Sequence, residues 1–275
     1  MKPSAYIKEY DERMRCCFSS EATIKNYIYA TRSFFTFVTG REESDPAILL
    51  RKYITIHLQG KEAKTVNLHR AAIIKFFKLV KKIDIDVSDV PRRKEPKKLP
   101  RIISGNSIQM AIEKTENTKH YLIISIFYGC GLRLCEIQQL KKKNIFEKEK
   151  YIRLENTKGM KHRIVPIPES IQNKLYIYID KMKSDDIIFG NLCKRTFEKI
   201  VSNAFLRIGE RASPHMLRHS FATDQVSSGQ NIAKVQAWLG HSSLKTTQIY
   251  LHLSEAQLSE STDLLKQNYT NLTGV

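Results

Sequence analysis

The sequence predicts a mainly α-helical chain with one small antiparallel β-sheet, divided into two domains. Three observations carry that prediction. Apolar residues recur every three to four positions through most of the chain, a single stretch near residue 160 alternates like a hairpin, and a proline-rich basic segment at 91–101 separates two patterned halves. The 275 residues are 41% hydrophobic, which is enough apolar material for a core.

The first domain is expected over residues 1–90 and reads as helical. Ser19-Ser20-Glu21 offers a helix start, followed by Ile24, Tyr27, Ile28, Phe34, Phe35 and Val38 at helical spacing, with a stop at Gly40. Asp45-Pro46 opens a second helix that runs to Leu58, before Gly60. A third helix covers about 61–82, with Leu68, Ala71, Ala72, Phe76, Leu79 and Val80 as its apolar stripe. Lys64, Arg70, Lys75, Lys78, Lys81 and Lys82 share that helix and, taken alone, read as a solvated face. The segment 91–101, PRRKEPKKLPR, has three prolines, six basic residues and one acid, so it reads as an extended linker.

The second domain is expected over 102–275. It begins with a short helix from Ser107 to about Thr115 and an apolar helix from Lys119 to Phe127. The break Gly129-Cys130-Gly131 comes next, and then a helix from Leu132 to Lys141. Residues 151–154 and 163–167 flank Asn156-Thr157-Lys158-Gly159, a turn signature between two strands. From Ile171 onward the pattern is helical, with breaks at Gly190, Gly209, Gly229 and Gly240.

The net charge of +18 asks for a polyanion. Residues 1–100 carry 21 basic against 12 acidic residues and residues 101–275 carry 25 against 16, so the excess is not a detachable tail. Both halves could lie against one extended anion such as duplex DNA, and a merely basic protein would have the same balance. No apolar run reaches the roughly 20 residues of a membrane span. The N-terminus lacks the apolar core of a signal peptide. The five cysteines form no C-x-x-C pair, which argues against a disulfide framework or a structural zinc site. The expected compartment is the reducing cytoplasm, with no membrane partner.

The densest chemistry lies between Ala212 and Leu253. Ser213-Pro214 is an N-cap followed by proline at the first helical position, which puts His215, Arg218 and His219 in the first turns of a helix. His215 and Arg218 are three apart and share a face that could clamp a phosphate, although either histidine taken alone reads as structural, His215 as a buried, hydrogen-bonded core histidine. Gly240 ends the next helix and His241 follows, and Ser242-Ser243 can cap a further helix that carries Tyr250. Upstream, Arg133 stands three residues before Glu136 at a helix start, a spacing at which a carboxylate can orient a guanidinium.

The strings G-L-R-L-C-E-I, T-K-G, H-M-L-R-H, L-G-H-S and T-T-Q-I-Y, in this order, resemble the tyrosine recombinase or phage integrase family, in its Xer type. The resemblance covers about residues 100–260, and more weakly 1–90 through T-I-K-N-Y, Phe34-Phe35 and the basic third helix. It implies a two-domain DNA clamp, with a helical core-binding domain and a mixed α/β catalytic domain. It implies that Tyr250 is the nucleophile, attacking a DNA phosphodiester to leave a 3′-phosphotyrosine and a free 5′-hydroxyl. Arg133 and Arg218 resemble the arginines that bind the scissile phosphate, Lys158 the lysine that protonates the leaving oxygen, His215 the general acid/base, and His241 the second phosphate-bonding position. Glu136 and His219 match supporting positions. Two guanidiniums and the imidazoles supply the charge neutralisation, so neither metal nor cofactor is expected.

The partner implied is double-stranded DNA with an inverted-repeat site, gripped by a homotetramer across two sites. The tail at about 254–275 is expected to pass to a neighbouring protomer. Arg92, Arg93, Lys94, Lys97 and Lys98 of the linker, with Lys75 and Lys78, are candidates for phosphate-backbone contact. Chromosome or plasmid dimer resolution and mobile-element integration both fit this chemistry. A type IB topoisomerase and a non-catalytic DNA-binding protein on the same scaffold are the alternatives.

Overall fold

The computed structural model describes residues 3–18, 20–41, 43, 45–86, 88–96, 100–155 and 162–240, and the structural statements here concern those residues. The chain forms two compact units, Met1–Lys97 and Lys98–Val275.

The first unit is a helical bundle of α1 (Pro3–Cys17), α2 (Glu21–Val38), α3 (Pro46–Lys52) and α4 (Ala63–Phe76). The last two continue as single π-helical turns, Tyr53–His57 and Phe77–Lys81. Helix α2 starts at the serine cluster as expected, though the Ser20 side chain makes no cap hydrogen bond. At α3 the Asp45 carboxylate accepts from the N–H groups of Ala47 and Ile48, and Pro46 fills the first turn. The apolar stripes meet in an aromatic core in which Phe34 packs edge-on to Tyr53 at 5.4 Å, Phe35 to Phe76 at 5.2 Å and Tyr10 to Phe76 at 5.4 Å. Tyr10 Oη donates to the Ala72 carbonyl at 2.8 Å, which satisfies its buried hydroxyl.

Arg70 does not belong to a solvated face. It is buried and donates to the Val90 carbonyl. Asn67, one turn earlier, holds the chain that follows: its side chain accepts from the Arg93 N–H at 2.9 Å and donates to the Arg93 carbonyl at 3.0 Å. The extended segment 91–96 is thereby tied to α4, because an amide side chain supplies both a donor and an acceptor to a strand-like backbone.

The second unit contains α5 (Gly105–Glu113), α6 (Thr118–Gly129), α7 (Leu134–Gln138), β1 (Ile145–Phe146), β2 (Tyr151–Leu154), β3 (Arg163–Pro166), α8 (Glu169–Ile179), α9 (Lys194–Leu206), α10 (Pro214–Ser227) and α11 (Ile232–Leu239). Helix α6 is apolar all round because it is central: residues 122–127 are buried, and α8, α9 and α10 pack against it. The sheet is antiparallel in the order β1-β2-β3, with Ile145 opposite Ile152 and Leu154 opposite Arg163.

Three boundaries differ from expectation. Helix α5 begins at Gly105 rather than Ser107, because Ser104 is the cap and accepts from the Ser107 N–H at 3.1 Å. The helix expected over Leu132–Lys141 is only the five residues of α7. Leu132 and Leu140 are buried outside it, and the Leu140 carbonyl instead accepts from Ile188 at 2.8 Å. The sheet also has a third strand, β1, too short at two residues to show a period.

Candidate active site

The site is organised by the C-terminal end of α11. The last carbonyls of a helix have no intrahelical partner and sit at the negative end of its dipole, so they favour cations. Here three consecutive carbonyls each accept from a different arginine. Trp238 O takes Arg163 Nε at 2.7 Å, Leu239 O takes Arg218 Nη2 at 2.6 Å, and Gly240 O takes Arg133 Nη2 at 2.8 Å. Gly240 closes the helix in the left-handed region, at φ +61°. A Cβ there would press on Arg163 Cδ at 3.0 Å, so glycine serves both the cap and the close approach.

Arg218 comes from α10, started by the Ser213-Pro214 pair, whose Ser213 hydroxyl accepts from the Met216 N–H at 3.4 Å. Its guanidinium is buried and also donates to the Gly131 carbonyl. Of the glycines in the Gly129-Cys130-Gly131 break, Gly131 has the positive φ, +59°, and any Cβ there would run into the Phe221 ring. That constraint delivers the chain to Arg133, the N-cap of α7.

Glu136 lies at the junction. It accepts from the Arg133 backbone N–H at 2.7 Å and from Arg133 Nη1 at 3.0 Å. It also receives a two-pronged pair from Arg163, 2.6 Å at each oxygen. Burial pushes the Glu136 carboxyl up, but the Arg163 guanidinium, with help from the Arg133 N–H and charge, holds it below the usual carboxylate range. Two guanidiniums therefore face one carboxylate. The Arg163 side chain is 8% exposed and that of Arg133 33%, so Arg133 is the more open of the two cations paired with Glu136.

His215 is exposed in the first turn of α10, which removes the core-histidine alternative, and Arg218 is buried one turn on. His219 is half-buried. Burial, then the charges of His215 and Arg218, push its imidazole below the ordinary value. Arg133 and Glu136 meet as their three-residue spacing proposes, Arg218 and Arg133 bond adjacent carbonyls at the end of α11, and Arg163, which the sequence marks only as a strand residue, joins Glu136. Its signal lay in the alternation of β3: the residues at 163 and 165 are buried and those at 164 and 166 exposed, so a charge at 163 needs a partner.

Lys158, His241, Tyr250, Lys97, Lys98 and the tail 254–275 lie outside the described residues. Arg92, Arg93 and Lys94 are exposed, with Arg92 3.4 Å from Glu95. Lys78 pairs with Asp84 at 2.9 Å, and Lys75 lies over the Phe18 ring at 5.6 Å. Among the described residues no three His, Cys, Asp or Glu side chains gather as a metal site, and no helix is long and apolar enough to cross a membrane.

A mainly helical fold with this small antiparallel sheet is that of the tyrosine recombinases. The chain belongs to the phage integrase family, whose model matches residues 100–257, and so to the tyrosine recombinases, enzymes that cleave and rejoin DNA through a tyrosine intermediate. It is 30% identical to the tyrosine recombinase XerA of Thermococcus onnurineus, over 91% of this chain and 93% of that one. It is 26% identical to XerA of Pyrococcus horikoshii, over 98% and 97%. Among solved structures, the pre-cleavage complex of the XerH site-specific recombinase bound to difH substrate matches with a TM-score of 0.70 and 25% identity, covering 87% of this chain and 78% of that one. These relatives favour site-specific recombination over the topoisomerase and non-catalytic alternatives.

Proposed function

We propose that this chain is a Xer-like recombinase in which Arg133 and Arg218 hold the scissile phosphate of a DNA duplex. The carrying observation is the convergence of both guanidiniums on adjacent carbonyls at the end of α11. A phosphodiester repels nucleophiles, and charge builds on its non-bridging oxygens as phosphorus is attacked, so fixed cations lower the barrier. The Tyr250 phenol attacks phosphorus and gives its proton to His215, which is exposed at the start of α10. The bond to the 5′-oxygen breaks and that oxygen takes a proton from Lys158, since an alkoxide is a poor leaving group. His241, directly after Gly240, hydrogen-bonds the phosphate, while Glu136 and His219 support the site. The phosphotyrosine keeps the energy of the broken bond, so a 5′-hydroxyl from another strand reverses the step without ATP. Exchange between two duplexes needs four protomers on two inverted-repeat sites, with tail 254–275 linking neighbours. The exposed cations Arg92, Arg93, Lys94 and Lys78, with Lys75, Lys97 and Lys98, supply phosphate contacts that position the duplex. The enzyme works in the cytoplasm, alongside DNA.

The test is a nicked duplex that traps the cleaved strand. Wild-type protein should form a covalent protein–DNA adduct that Tyr250→Phe abolishes while duplex binding persists. An adduct that survives the substitution would refute the assignment.

A further inference from the structure

The second basic residue on Glu136 has no part in the scheme above. Arg163 is buried on β3, five positions after Lys158. It makes three hydrogen bonds: two to the Glu136 carboxylate at 2.6 Å and one to the Trp238 carbonyl at 2.7 Å. Its contacts with Glu136 are shorter than that of Arg133, at 3.0 Å, and engage both carboxylate oxygens. A bidentate guanidinium–carboxylate pair is a strong charge-assisted contact, and a carboxylate so engaged has less attraction left for a second cation. Without Arg163, the same carboxylate would neutralise Arg133 and counter the charge that a phosphate needs.

We propose that Arg163 is a positioning residue for strand cleavage: it occupies the charge of Glu136, leaving Arg133 cationic for the scissile phosphate, and it ties β3 to the end of α11. The inference rests on the recombinase reading. Glu136 therefore does two separable things. Its bond to the Arg133 N–H caps α7, and its link to Arg163 keeps its charge away from the substrate. The chain from Arg163 through Trp238 to Gly240 also fixes the backbone from which His241 follows.

The experiment uses full-length protein and nicked duplexes whose half-sites the wild-type protein has selected from a randomised pool. Single-turnover adduct formation at saturating protein is read separately from duplex affinity. Wild-type protein that forms no adduct on the selected duplex overturns the recombinase reading, and this inference falls with it. With a wild-type adduct in hand, Arg163→Gln should slow cleavage about 10- to 100-fold, the scale of losing one aligned charge contact, with affinity changed less than about threefold. Adding Glu136→Gln to Arg163→Gln should recover most of that loss, because the carboxylate that then neutralises Arg133 is gone. A double variant as slow as Arg163→Gln, or slower, overturns the proposal and makes Arg163 a packing residue. If Arg163→Gln does not fold, Arg163→Lys decides. Cleavage within about fivefold of wild type supports the charge role, since a cation on Glu136 is retained, and a larger loss at unchanged affinity contradicts it.

Discussion

In the second unit Arg133, Arg163 and Arg218 each donate to a backbone carbonyl, and two of them share one partly buried carboxylate. In the first unit Arg15 reaches Asp11 and Glu21 at 2.9 Å, Lys52 reaches Glu43 at 3.4 Å and Lys78 reaches Asp84 at 2.9 Å, and all three cations are exposed. The first arrangement fixes charge to within a hydrogen bond, at the cost of burying it. The second leaves charge mobile and hydrated, so each pair contributes little to stability. Fixed charge suits an anion whose geometry changes during a reaction, and mobile charge suits a backbone that need only be attracted. Among the described residues of the first unit Arg70 is an exception: it is buried and its guanidinium donates to the Val90 carbonyl.

The difference can be broken from either side. The largest effect should come from Arg218→Ala, which removes one of the two cations proposed to hold the phosphate and leaves the carbonyls of Gly131 and Leu239 without it. Single-turnover cleavage should fall by about two to three orders of magnitude. Glu136→Gln should come next: it leaves Arg163 buried without its counter-charge and should lower the unfolding free energy by about 3 kcal/mol in denaturant titration. The same residue sets a pH dependence. Its carboxyl is held below the usual range when folded, so its contribution is present at neutral pH and is lost as the pH falls through the folded value. Tm measured from pH 7 to pH 3 should drop less steeply in Glu136→Gln than in wild type.

Gly131→Ala combines a left-handed backbone with a clash against Phe221 and should cost about 2 kcal/mol, read from the same titration. The smallest effect belongs to the first unit. Lys78→Ala, which removes a pair with Asp84 whose side chains are 61% and 77% exposed, should leave the cleavage rate of bound complex unchanged. It should flatten the dependence of log affinity on log salt by about 0.9, one phosphate contact.

How far the fold could be read ahead of the structure depended on periodicity. Helix α2 and the Pro46 and Pro214 starts were legible because caps and apolar spacing agreed. Helix α7 is shorter than its pattern suggests because Leu132, Leu134, Ile137 and Leu140 keep helical spacing, while Leu132 and Leu140 lie outside the helix and are buried in the core of the unit. At the site, local spacing exposed the Arg133–Glu136 pair, three residues apart, whereas the Arg163–Glu136 pair spans 27 positions and depends on β3 meeting α7. The three carbonyls of α11 were also out of reach, since no side-chain pattern marks a backbone acceptor. The cations of the first unit are visible in the sequence only as charge, and buried Arg70 is not told from its exposed neighbours because a buried arginine and a solvated one look alike in sequence.

The central claim is that the cations around α11 act on the reaction and the cations of the first unit act on attraction. Its most direct test is to measure Arg133→Ala for both quantities, on a duplex that wild-type protein cleaves. The account predicts cleavage at saturation reduced by at least about 100-fold, with duplex affinity within about threefold of wild type. Equal losses in cleavage and affinity, or a cleavage rate that survives the substitution, would contradict it.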